Sequence, residues 1–72
     1  MEFKSREEIE AIKKMYPKGT VIIIDHMDDY QAPSPGTKGT VRTVDDIGQI
    51  HCQEFGLAVI PGVDRFHKEV AK

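Results

Sequence analysis

The sequence predicts a mainly β protein with one N-terminal helix, folded as a small barrel of four to five short antiparallel strands. Three observations predict it. A segment over residues 5–16 carries Ile9, Ile12 and Tyr16 at helical spacing. Everything after it breaks into short runs rich in β-branched residues, separated by Gly, Pro and Asp. The chain has 72 residues, enough for a single domain over 1–72 with a thin core. Short strands joined by tight turns leave edges exposed, and a barrel removes them.

The elements follow in order. Ser5 is a good helix N-cap, and Glu8 three residues later completes a capping box. Met15 flanks the apolar stripe, and Lys13 and Lys14 complement the dipole in the last turn. Pro17 disfavours helical geometry at Tyr16, so the helix stops there, and Lys18-Gly19 turns the chain. Thr20 to Asp25 reads as a first strand. His26 to Gly36 is a loop, because Pro33, Ser34, Pro35 and Gly36 do not fit a central strand. Lys38 to Val44 is a second strand, ended by the turn Asp45-Asp46-Ile47-Gly48. Gln49 to Glu54 is a third, Gly56 marks a turn, and Leu57 to Ile60 is a short fourth. The barrel therefore covers 20–60. Asp64 caps a last helical turn through Arg65 to Val70, which makes 61–70 a short C-terminal helical segment. The helical stripe packs across one end or an open edge of the barrel.

Composition narrows the function. The single cysteine, Cys52, has no partner within the chain, which excludes a disulfide-stapled secreted scaffold. The longest apolar run, Val21-Ile22-Ile23-Ile24, is strand-sized, far short of the roughly 20 residues of a membrane span. The N-terminus carries charges where a signal peptide needs an apolar segment, so a cytoplasmic location is expected and no membrane partner. Net charge is −2, but it is unevenly spread. Residues 19–64 hold Lys38 and Arg42 against Asp25, Asp28, Asp29, Asp45, Asp46, Glu54 and Asp64, two cations against seven anions, or −5. Such a segment repels phosphate, which argues against direct nucleic-acid binding, and suits a protein partner with a basic surface.

The chemistry-bearing residues are sparse. Asp28-Asp29 and Asp45-Asp46 are adjacent pairs, and adjacent residues do not face each other as a catalytic dyad must. No catalytic residue is expected. Zinc is the one cofactor the residues suggest, through His26, His51 and Cys52, but no C-x-x-C or H-x-x-x-H pair is present. His51 and Cys52 are consecutive on a strand and point to opposite faces, so Cys52 also reads as a small core residue. The loop from His26 to Pro35 is long for so small a domain, and Met27 and Tyr30 are residue types that binding surfaces enrich. Asp28, Asp29, Tyr30, Asp45, Asp46 and Phe55 are the expected partner contacts.

The order and spacing of four blocks resemble a known family. The blocks are Met27-Asp28-Asp29, Pro35-Gly36-Thr37-Lys38-Gly39-Thr40-Val41, Asp45-Asp46-Ile47-Gly48-Gln49-Ile50-His51, and Leu57-Ala58-Val59-Ile60-Pro61-Gly62-Val63-Asp64. They are similar to a family of small domains of unknown function from phages, plasmids and integrative elements of Gram-positive bacteria. The resemblance covers roughly residues 17 to 66. It implies an SH3-like barrel and a mobile-element origin, and brings no catalytic residues. Members usually carry a Trp-Asp-Asn-Gly hairpin after the third strand; here Glu54-Phe55-Gly56 stands there, with Phe55 as the aromatic. The expected function is a non-enzymatic protein-binding module, an inhibitor of a host nucleic-acid-handling or defence protein of the anti-CRISPR kind. The alternatives are a nucleic-acid-associated barrel, in which Lys38, Arg42 and the basic helix touch phosphate, and a metal-stabilised structural module.

Overall fold

The computed structural model describes residues 4–27 and 29–69. Among the described residues one helix, α1 (Arg6–Met15), precedes four strands: β1 (Val21–His26), β2 (Lys38–Val44), β3 (Ile50–Cys52) and β4 (Arg65–Lys68). All neighbours are antiparallel, in the order β3-β2-β1-β4.

The helix starts as its sequence dictates. The Ser5 hydroxyl accepts from the Glu8 N–H at 3.1 Å, and the Glu8 carboxylate accepts from the Ser5 N–H at 3.3 Å. Both satisfy donors that a bare helix end leaves unpaired. Tyr16, at φ −127°, ends the helix ahead of Pro17. Ile9, Ile12 and Tyr16 form the half-buried face. Tyr16 meets Phe66 of β4 at 5.5 Å between ring centroids, tilted by 58°. Toward its start, α1 lies on the β2–β3 turn, where Ile9, Ile12 and Lys4 crowd Gly48. The helix thus spans from that turn to β4.

The core lies beneath. Ile22 and Ile24 alternate inward from β1 and are fully buried with Val41, Ile50 and Val59. Met27 and Cys52 complete the buried set.

Two segments differ from the sequence expectation. Leu57 to Ile60 does not form a full strand; only Val59 bridges Ile50, through two N–H···O bonds of 2.8 Å. Residues Arg65–Lys68 form β4 rather than a helical turn. Asp64 does not cap a helix: its carboxylate accepts from the N–H of Ile60 at 2.8 Å and closes a tight turn over residues 60–64. That turn delivers the chain to the edge of β1, where Ile24 pairs with Phe66. Covering that edge and burying Phe66 against Tyr16 outweighs the local helical signal. The sheet stays open in its hydrogen bonding, yet the 60–64 turn joins the segment beside β3 to the strand beside β1. The result is a small barrel-like globule. No helix among the described residues is long and apolar enough to cross a membrane.

Candidate functional site

The loop joining β1 to β2 is clamped at its base. Ile24 donates to the Thr37 carbonyl at 2.9 Å and Gly36 donates to the Ile24 carbonyl at 2.7 Å. Met27 turns inward and is buried. At the tip, one carboxylate oxygen of Asp29 accepts from the Gln31 N–H at 2.8 Å, and the Asp29 carbonyl accepts from the Ala32 N–H at 3.0 Å. The Thr37 hydroxyl and N–H both donate to the Ser34 carbonyl, at 2.6 and 3.1 Å. Tyr30 projects from this framework with 95% of its surface exposed. Asp28 lies outside the described residues.

The turn between β2 and β3 is organised by Asp45. Its carboxylate accepts from the N–H groups of Ile47 (3.1 Å) and Gln49 (2.9 Å) and bonds His51 Nε2 at 2.8 Å. Burial alone pushes this carboxyl upward, but the bonds from His51, Gln49 and Ile47 prevail and hold it below its ordinary value. Asp46 extends outward and meets Lys13 of α1 at 3.3 Å. The expected contact residues therefore do not share one face. Asp29 and Tyr30 sit beyond the start of β2, Asp45 and Asp46 beyond its end, and seven strand residues separate them by roughly 23 Å.

Phe55 lies between these ends. Its ring lies over Gly39, where an added Cβ would stand 2.8 Å from Cε2. It lines a surface groove of about 490 Å³ together with Arg42, Cys52 and Glu54. Glu54 accepts from both the N–H and the hydroxyl of Thr40, at 2.6 and 2.7 Å, and these bonds hold its carboxyl below the ordinary value. Burial, and secondarily the charge of Glu54, pushes the Cys52 thiol up to about 11. A thiol so protected stays protonated at neutral pH. The residues considered for zinc are apart in role and place: His26 is exposed at the end of β1, His51 is taken by Asp45, and Cys52 is in the core. Among the described residues, no three His, Cys, Asp or Glu side chains converge on a point that could hold a metal.

A family model of a domain of unknown function, DUF4314, matches residues 5–69, from the cap of α1 to the residue just past β4. The chain belongs to the DUF4314 family. No curated protein and no solved structure matches it.

In this DUF4314 domain many of the charged side chains bond within the fold itself. Asp25 bonds His67 Nδ1 at 2.8 Å, and Lys38 pairs with Glu69 at 2.7 Å. Every described carboxylate between residues 19 and 64 accepts at least one hydrogen bond from the chain: Asp25, Asp29, Asp45, Asp46, Glu54 and Asp64. The described carboxylates of that segment thus anchor turns and cross-strand ties while keeping their negative charge. Lys18 and Arg42, by contrast, form no ion pair among the described residues, and they are brought together. The Gly19 N–H donates to the Val41 carbonyl and the Val41 N–H to the Thr20 carbonyl, both at 2.8 Å. No local motif predicts that Lys18 lies near Arg42, because Arg42 arrives from another strand.

Proposed function

We propose that this DUF4314 domain is a non-catalytic protein-binding module of a phage or mobile element, acting in the cytoplasm of a bacterial host. It occupies a host nucleic-acid-handling or defence protein, in the manner of an anti-CRISPR inhibitor. One observation carries the reading: Tyr30 stands almost fully exposed on a loop whose base and tip are both hydrogen-bonded. Exposing a tyrosine on a fixed framework lowers the ordering cost of binding, and tyrosine is enriched among residues that dominate interfaces. Asp29, beside it, adds negative charge and favours a basic partner surface. Asp45 and Asp46 lie at the far end of the fold from Tyr30: Asp45 clips the β2–β3 turn, and Asp46 stands exposed beside Lys13.

Affinity capture from host lysate at low salt tests the reading, with wild type and Tyr30→Ala as baits. The wild type retains a specific nucleic-acid-handling protein, and Tyr30→Ala loses it while melting at the same temperature. Addition of the wild-type domain then slows that protein's reaction on its substrate. Equal retention by both baits would exclude the loop as the binding surface.

A further inference from the structure

Two grooves meet at Arg42, which lies in the half of β2 away from the Tyr30 loop. One, of about 330 Å³, runs between the C-terminal end of α1 and the end of β2, along Lys13, Tyr16, Pro17, Lys18, Arg42 and Thr43. The other is the Phe55 groove, which Arg42 also lines. Of the carboxylates near this surface, Asp46 is paired with Lys13 at 3.3 Å, while Glu54 is fixed in place by the N–H and hydroxyl of Thr40 and keeps its negative charge. Lys18 and Arg42 carry charge that no described side chain neutralises. Arg42 therefore stands between a cationic channel and an aromatic ring.

We propose that this surface binds single-stranded nucleic acid, with Lys18 and Arg42 on successive phosphates and Phe55 as the ring beside an unpaired base. The inference goes beyond the loop reading and uses different residues. A row of cations that tracks a backbone, next to an aromatic face, is how sequence-tolerant single-strand binding is built. A base that stacks on Phe55 must be free of its complement, which favours a single strand over a duplex. The overall charge of −2 opposes binding and keeps it weak, so the interaction is strongest at low salt.

Fluorescence anisotropy of a labelled oligothymidine, titrated with the intact domain over a range of sodium chloride concentrations, tests this. Two phosphate contacts predict that affinity falls with salt with a log–log slope of roughly −1.4. Arg42→Gln and Lys18→Gln each weaken binding and reduce that slope by about 0.7. Phe55→Leu weakens binding with the slope unchanged. Tyr30→Ala leaves binding intact, which separates this surface from the loop. Absence of saturable binding at low salt overturns the proposal. So does wild-type affinity in the Lys18→Gln, Arg42→Gln double variant, or tighter binding of duplex than of single strand.

Discussion

Replacing Asp45 by alanine gives the sharpest test of how this fold is held. Its carboxylate receives three bonds, from Ile47, Gln49 and His51, all between 2.8 and 3.1 Å. It is about two-thirds covered, its side chain being 32% exposed, so water replaces part of what is lost. Taking about 0.5–1 kcal/mol for each bond gives a loss of roughly 2 kcal/mol. In a domain of this size that lowers the melting temperature by roughly 8–16 °C. Asp45→Asn keeps an oxygen for the two N–H groups and gives up the charge, so it loses about half as much. Circular dichroism melts at neutral pH measure both. The pH dependence has a fixed sign. Because the folded Asp45 carboxyl is lowered, its stabilisation is fully present above its ordinary value of 3.8 and is lost as the pH falls through the lower folded value. Glu54 behaves alike below 4.5, so Asp45→Asn flattens the acid limb without abolishing it. An Asp45→Ala melt within about 2 °C of wild type refutes the assignment of this turn as a structural clip.

Three further outcomes follow from packing and placement. Gly39→Ala puts a methyl 2.8–2.9 Å from the Phe55 ring and Cys52 sulfur and costs about 1–3 kcal/mol; an unshifted Phe55 resonance with unchanged stability contradicts that contact. Cys52, buried with its thiol near 11, resists maleimide in the native state and reacts once denaturant is added; immediate native labelling contradicts its burial. Chelator leaves the melting temperature unchanged, since His26, His51 and Cys52 point to different surroundings; a fall on chelation shows that a metal joins ligands the fold keeps apart.

Much of the fold is legible in the sequence where local chemistry decides it. The Ser5/Glu8 box and Pro17 frame α1 within a residue of its ends. The β-branched runs place β1 and β2, the latter over the expected Lys38–Val44. The C-terminal segment is misread because its local signal, an Asp followed by charged residues, also suits a turn entering a strand. What decides is the bare edge of β1, which is non-local. The site is less legible. Asp45 reads as a surface anion, yet an Asp opening a turn with Gly48 in it is placed to accept the turn's own N–H groups, and that is what it does. The exposure of Tyr30 on a long loop is legible, whereas the nearness of Lys18 to Arg42 is not, because only the pairing around Val41 brings it about.

The pairing of β1 with β4 has a consequence for solution behaviour. β1 and β2 are consecutive and close a local hairpin, whereas the tie between Asp25 and His67 spans 42 residues. β4 is exposed at every position but Phe66, so it is the strand with least to hold it. When it lifts, the run Val21-Ile22-Ile23-Ile24 presents an unpaired, strongly β-forming border to other molecules. Self-association on storage should therefore track the detachment of β4 well before global unfolding, and a bond that pins β4 down should protect the protein in concentrated solution.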